Sequence, residues 1–291
     1  MSCPDCFRGG VATAEPTGTV TTIHGLPTYV AQPPDGIAPK GLIVLIPDAF
    51  GWDFVNCRVL SDRYAKGGYL VYLPDFMKGR SLNPAVIPLM DHIINPAPTW
   101  LSLFAKPISI VRAALIAIPW VLRTNISRTW PGVLSFFQAL RRSPAPFDSA
   151  GGVLKIGAAG FCWGGKHVLL LSHDDPATRV SAPGQDQDQP QRLIDAAFTA
   201  HPSFVKLPQD AEMASVPTSV VVGDSDAVLR TRDALTMKAV LDARGDDHEM
   251  RIEPGAKHGF AVRMHPEDKH EVECAERAEQ QALSWFNRWL A

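Results

Sequence analysis

The chain has 291 residues, of which 46% are hydrophobic and 20% are charged, with 28 lysines and arginines against 30 aspartates and glutamates. This is the composition of a globular protein of one large domain or two small ones. A net charge of −2 disfavours a nucleic-acid partner. The five cysteines follow no disulfide-framework spacing and no basic and apolar leader is present, so we expect a cytoplasmic location.

The N-terminal region predicts a turn followed by a β-hairpin. Cys3 and Cys6 have the C-x-x-C spacing, but no second ligand pair lies nearby, so we interpret them as part of an ordinary turn. Val20–Ile23 and Thr28–Ala31 flank a Gly-Leu-Pro turn and have the composition of two strands at a sheet edge.

The next region predicts the beginning of a parallel sheet. Leu42–Ile46 is a continuous aliphatic run, typical of a strand that is buried on both faces. The amphipathic segment Asn56–Lys66 ends at two glycines and predicts a helix, and Tyr69–Leu73 predicts a second buried strand. Strand, helix and strand at this spacing predict a right-handed parallel crossover.

From about residue 83 to 142 the sequence predicts a helical insertion without strands. Its most apolar part, Ile108–Leu122, contains Arg112 and Pro119 and is too short to cross a bilayer, so no integral membrane segment is expected. The insertion would lie over the sheet or on its flank. We interpret it as a cap, a homodimer surface or simply a pair of helices that cover the core.

A glycine-rich turn follows the insertion. One apolar run ends at Gly160 and another begins after Gly165, which predicts a strand, a tight turn and a helix. Cys162 lies at the turn in the pattern G-F-C-W-G, the nucleophile elbow G-x-S-x-G with cysteine in place of serine. The N-terminus of the following helix favours a thiolate or an oxyanion. The alternative is that Cys162 is a small buried hydrophobic residue.

The remaining sequence alternates strands and helices. A polar run, Gln185–Gln189, predicts a solvated loop. The predicted strands are Ile194–Phe198, Thr218–Val222 and Met250–Ile252, and helices are predicted over about Arg230–Ala243 and Pro266–Leu290. This alternation predicts one doubly wound α/β domain over residues 1–291, without an internal linker or repeat.

A cysteine nucleophile needs a base, and the base needs a group that orients it. In hydrolases built on such a sheet, the nucleophile, the acid and the histidine follow in that order, each after a strand. Asp224 and Asp226 both follow the strand that ends at Val222, and His258 lies in a glycine-flanked loop after the last strand. His201 also follows a strand but precedes the acid, so we interpret it as structural or pocket-lining.

Three motifs together resemble the dienelactone hydrolase family, and the overall layout resembles its fungal members. They are G-F-C-W-G-G at residues 160–165, G-D-S-D-A-V at 223–228 and P-G-A-K-H-G-F at 254–260. The resemblance covers about residues 20 to 290. It implies an α/β-hydrolase fold, with a mostly parallel central sheet and helices on both faces, and a triad of Cys162, His258 and Asp226.

The resemblance also implies further site residues. The backbone N–H groups of Ala49 and Trp163 match the family's oxyanion hole. Asp48 stands where bacterial members have a glutamate that helps to form the thiolate. Arg80 and Arg263 lie close to the positions of the arginines that hold the substrate carboxylate in the bacterial enzymes, each offset by one residue.

These observations predict a hydrolase that cleaves a small lactone or carboxylic ester through an acyl-thioester. Two alternatives stay open: a non-catalytic small-molecule binding protein on the same fold, and an isomerase or acyl transferase. No metal or cofactor is expected, because the sequence has neither H-E-x-x-H nor a G-x-G-x-x-G turn.

Overall fold

A computed structural model describes residues 10–94, 100–148, 154–183, 190–245 and 247–291. The predicted turn at Cys3 and Cys6 and the predicted loop Gln185–Gln189 lie outside these residues. The strands are β1 (Thr19–Ile23), β2 (Leu26–Ala31), β3 (Leu42–Ile46), β4 (Leu70–Pro74), β5 (Ile156–Phe161), β6 (Ala196–Ala200), β7 (Thr218–Gly223) and β8 (His248–Glu253).

The eight strands form one sheet in the order β1-β2-β4-β3-β5-β6-β7-β8. β1 and β2 pair antiparallel, with Val20 opposite Tyr29, which confirms the predicted edge hairpin. β2 also pairs antiparallel with β4, and the pairs from β4 to β8 are parallel. The predicted α/β class and the mostly parallel sheet are therefore confirmed.

Helices cover both faces of the sheet. They are α1 (Val55–Lys66), α2 (Val86–Ile94), α3 (Trp100–Arg123), α4 (Ile126–Arg142), α5 (Trp163–Ser172), α6 (Gln209–Glu212), α7 (Thr231–Asp242) and α8 (Lys269–Leu290). Within β5, Gly157 faces Phe286 of α8 and Gly160 faces Val168 of α5. Because residues an odd number apart along a strand point to opposite faces, α5 and α8 lie on opposite sides of the sheet.

Two of the element boundaries that differ from the sequence prediction have a local cause in the structure. β6 begins two residues late, because Asp195 precedes the ladder with its carboxylate bonded to Arg141 at 2.9 Å. α8 begins at Lys269 rather than Pro266, because Asp268 is its N-cap and accepts hydrogen bonds from two backbone N–H groups of the first turn.

The helical insertion consists of α2, α3 and α4. α4 belongs to the hydrophobic core, since Val133, Phe136 and Phe137 are buried and the ring of Phe136 lies 5.3 Å from that of Phe76. In the described part of the chain no single helix is long and apolar enough to span a membrane, although Lys106–Arg123 and Ile126–Arg142, a pair bent by 54°, reach that length and composition together.

The loops that follow the parallel strands meet at the carboxyl edge of the sheet. They carry Asp48 after β3, Cys162 after β5, Ser203 after β6, Asp226 after β7 and His258 after β8. This edge is where open α/β sheets place their binding sites.

Candidate active site

The turn between β5 and α5 holds Cys162 in a strained conformation. Its φ of 50° lies in the left-handed region, which L-residues other than glycine rarely adopt. The backbone is fixed by hydrogen bonds from Cys162 N to Ala200 O at 3.3 Å and from Gly164 N to Pro47 O at 3.1 Å. A Cβ on Gly160 would lie 2.6 Å from the Gly164 carbonyl oxygen, so the turn needs glycine there. The predicted elbow is therefore present.

His258 and Asp226 form a buried pair beside this turn. His258 Nδ1 lies 2.9 Å from Asp226 Oδ2, and both side chains are fully buried. The other carboxylate oxygen accepts hydrogen bonds from the backbone N–H groups of Val228 at 2.7 Å and Leu229 at 3.1 Å. Asp224 is exposed and instead accepts a hydrogen bond from Gly255 N. The fold thus brings Asp226, and not Asp224, to the histidine.

The charges around His258 favour its protonated form. Burial alone lowers the pKa of His258, but the negative charges of a Cys162 thiolate and of Asp226, and hydrogen bonds to both side chains, raise that pKa to about 9. Cys162 is 2% exposed, so little water screens the attraction between thiolate and imidazolium. The neighbouring negative charges thus favour a protonated imidazole at His258.

Ser203 is a site residue that the sequence analysis missed. Its hydroxyl lies 3.3 Å from Cys162 Sγ and 3.4 Å from His258 Nε2, and its backbone N–H donates to Cys162 O at 2.9 Å. The sequence feature that could have indicated Ser203 is its position in the loop after β6, at the same sheet edge as the other site residues. The hydroxyl connects the thiol to the imidazole.

His201 packs behind the imidazole of His258. The two ring centroids are 5.0 Å apart, and His201 also contacts Phe161 and Phe260. Among the described residues neither ring nitrogen of His201 has a hydrogen-bond partner. Burial, and then the positive charges of His258 and Arg263, lower the pKa of His201 well below its usual range. This neutral ring supports the position of His258.

Asp48 and Arg263 form a second buried pair. Arg263 Nη1 donates to Asp48 Oδ2 at 2.7 Å, with both side chains fully buried. Asp48 Oδ1 accepts from Phe50 N at 3.0 Å, and the guanidinium lies over the Phe50 ring at 5.1 Å. Burial raises the pKa of Asp48, whereas the charge of Arg263 opposes that rise. The pair fixes the loop that carries Ala49.

The other arginine of the sequence analysis lies elsewhere. Arg80 is exposed in a turn, where its N–H donates to Met77 O at 3.2 Å. Its neighbours Gly79 and Ser81 line a cavity of about 460 Å³, together with Phe50 of the loop after β3. Arg80 thus lies in an exposed turn beside this cavity and is not a member of the buried Asp48–Arg263 pair.

The junction of α3 and α4 lies against the helix that follows the elbow. Trp163 Nε1 donates to the carbonyl oxygen of Thr124 at 2.7 Å. The Thr129 hydroxyl lies 3.1 Å from His167 Nε2, and the Trp130 ring stacks on the same imidazole. Burial, and to a lesser extent the charge of Lys166, lowers the pKa of His167 to about 3, so this histidine is neutral. The helical insertion is therefore attached directly to the site.

Comparison with known proteins gives a consistent result. The model of the dienelactone hydrolase family matches residues 26–290. The hydrolase pyvD of Aspergillus violaceofuscus is 26% identical over 288 residues, covering 98% of this chain and 96% of that protein. Dienlactone hydrolase 1 of Gibberella moniliformis is 25% identical, covering 98% and 93%.

A solved structure has the same fold. It is a putative dienelactone hydrolase from Klebsiella pneumoniae, with a TM-score of 0.56 and 22% identity, covering 94% of this chain and 98% of that one.

Proposed function

The chain belongs to the dienelactone hydrolase family and is an ester or lactone hydrolase, and we propose that it acts through a Cys162-His258-Asp226 triad. The substrate is a small lactone or carboxylic ester. The observation that carries this proposal is the buried series of contacts from Asp226 through His258 to Cys162 at the carboxyl edge of the sheet. We interpret the whole chain as one domain, because the eight strands of its described residues form a single sheet.

Acylation begins with the ion pair. Asp226 accepts a hydrogen bond from the Nδ1–H of His258, which leaves Nε2 to exchange a proton with the thiol. The Cys162 thiolate attacks the carbonyl carbon and a C–S bond forms. The C–O bond of the ester then breaks, and the leaving alkoxide takes the proton from Nε2. In a lactone that alcohol stays attached to the acyl group.

Deacylation uses the same groups in reverse. His258 Nε2 takes a proton from water as the oxygen attacks the thioester carbon. A C–O bond forms, the C–S bond breaks, and the acid leaves. The sulfur departs as a thiolate beside the imidazolium, so the starting ion pair is restored and the chemistry needs no further reactant.

The oxyanion that forms in each step needs hydrogen-bond donors. The family resemblance implies the backbone N–H groups of Ala49 and Trp163 as these donors, and those of their neighbours Phe50, Cys162 and Gly164 already have acceptors in the described structure. Trp163 N also lies at the N-terminus of α5, where the helix dipole favours negative charge. We assign the oxyanion hole to these two residues.

We assign a positioning role to Asp48. Its carboxylate is held by Arg263 and in turn fixes Phe50 N, which orients the neighbouring backbone of Ala49. Arg263 is occupied by this contact rather than aimed at solvent. A role of Asp48 in thiol activation and a role of exposed Arg80 in substrate binding stay predictions.

We infer a reducing compartment, the cytoplasm, as the place of action. The described cysteines, Cys57, Cys162 and Cys274, are free and buried. A free thiol nucleophile is kept active where disulfides are rare.

Intact-mass measurement during turnover tests the mechanism. With a slow lactone or ester, the wild-type protein should gain the mass of the acyl group, and Cys162→Ala should not. Cys162→Ser keeps a nucleophile of similar size and should give a longer-lived ester adduct. Hydrolysis in ¹⁸O-labelled water should place the label in the acid product. Turnover by Cys162→Ala at the wild-type rate, or a product without label, would overturn the proposal in favour of a different nucleophile or a non-hydrolytic reaction.

A further inference from the structure

Helix α3 has one buried and one exposed apolar face. Ser109, Ala113 and Trp120 are buried against the protein, and Thr124, just beyond the helix, is buried at the contact with Trp163. On the opposite side an apolar stripe is between 57% and 70% exposed; its members are Ile108, Val111, Leu115, Ile118 and Leu122. They recur every three or four residues and therefore form a continuous line along the helix.

The charge around this apolar stripe has one sign. From His92 to Phe147 the sequence contains no aspartate or glutamate but six lysines and arginines. This segment thus has a formal charge of +6, whereas the rest of the chain has −8. Arg112, Arg123 and Arg128 have exposed side chains near the stripe. An apolar line bordered by exposed arginines is typical of a helix that lies in the interface of an anionic membrane.

Two other occupants fit the same face less well. A second copy of the chain would bring Arg112 and Arg123 of both copies together without any acidic partner on this segment, and like charges across an interface oppose association. A membrane-spanning pair of α3 and α4 would require α4 to leave the protein, where Val133 and Phe137 are fully buried. A surface contact needs neither.

We propose that the apolar stripe of α3 binds the surface of an anionic lipid bilayer, with the helix axis in the plane of the interface. The apolar side chains enter the region below the headgroups, and Arg112 and Arg123 contact the lipid phosphates and carboxylates. Because the other side of the same helix leads to the contact between Thr124 and the Trp163 ring, only the thickness of α3, ~10 Å, separates that ring from the bilayer. This proposal does not depend on the proposed triad.

Cosedimentation with vesicles tests the proposal on the full chain. We expect binding to equimolar phosphatidylcholine–phosphatidylserine vesicles, little binding to pure phosphatidylcholine, and weaker binding at high salt. Leu115→Gln with Ile118→Gln should weaken binding by more than about tenfold. Arg112→Gln and Arg123→Gln should each weaken it by about fivefold, the factor that corresponds to about 1 kcal/mol per cation.

Matched controls lie on α7. Leu235 is 55% exposed, and Arg232 is also exposed. Leu235→Gln therefore removes an exposed apolar side chain, and Arg232→Gln removes an exposed positive charge, both away from the stripe. Both variants should leave vesicle binding unchanged. Hydrolysis of a water-soluble ester should stay at the wild-type rate in the α3 variants, which shows that they fold. Cys162→Ala should bind vesicles like the wild type, which separates this proposal from the catalytic one.

Three results would overturn the proposal. The first is the absence of binding to the anionic vesicles by the wild type. The second is equal binding by the stripe variants and the α7 controls. The third is a dimer in analytical ultracentrifugation that Leu115→Gln dissociates, without vesicle binding, which would assign the stripe to a second copy of the chain.

Discussion

Asp226→Asn removes the negative charge beside His258 while it keeps the shape of the site. An asparagine Oδ1 still accepts from the N–H groups of Val228 and Leu229, so the loop after β7 should fold unchanged. The carboxylate lies 2.9 Å from His258 Nδ1, and an opposite charge this close shifts a pKa by about 1–3 units. The pKa of His258, raised to about 9 in the wild type, should fall by this amount, which corresponds to about 1.4–4 kcal/mol.

The pH dependence of kcat/KM with an aliphatic lactone measures this effect. His258 is the acid for the leaving alkoxide only below its pKa, so wild-type activity should decline above about pH 9. In Asp226→Asn the decline should begin about 1–3 pH units lower. At neutral pH the rate should fall by about 10²–10⁴-fold.

Asp224→Asn is the matched control, since Asp224 is exposed and its Oδ1 accepts from Gly255 N, as an asparagine oxygen also would. It should keep both the rate and the pH profile of the wild type. A loss of activity in Asp224→Asn as strong as that in Asp226→Asn, or an alkaline decline of Asp226→Asn that stays near pH 9, would contradict this role of Asp226.

Three further changes follow from the same contacts. Ser203→Ala should lower kcat by about tenfold, because one hydrogen bond to the Cys162–His258 pair is lost. It should also shift the pH profile of thiol alkylation, and an unchanged profile would exclude a role of Ser203 in positioning this pair. Arg263→Met should lower the free energy of unfolding in urea by about 3–5 kcal/mol by leaving Asp48 unpaired, and Arg263→Met with Asp48→Asn should recover most of the loss. Gly160→Ala places a Cβ 2.6 Å from two atoms and should lower the free energy of unfolding by about 1–3 kcal/mol. Gly132→Ala is the control, because its Cβ meets open space in α4, and it should not destabilise the protein.

Local sequence determined the elements that depend on neighbouring residues. The glycines at 160, 164 and 165 predict a tight strand-to-helix turn by themselves, because no other residue fits so close to the backbone, and this places Cys162. Aliphatic runs predict buried strands, and the order of the loops predicts which histidine follows the last strand. These features are set by steric and hydrophobic properties of contiguous residues.

The tertiary structure decided which side chains from distant parts of the sequence meet at the candidate site. Asp224 and Asp226 are equivalent by spacing, and before the structure only the family resemblance favours Asp226. The turn after β7 supplies the physical reason by directing that carboxylate inward. Ser203 gave no motif because its role depends on two side chains, 41 and 55 residues away. Arg263 pairs with Asp48, a contact 215 residues apart in sequence that no motif indicates, and its expected role toward a substrate carboxylate stays a prediction. Such contacts depend on where strands bring loops together, and that is fixed only when the sheet forms.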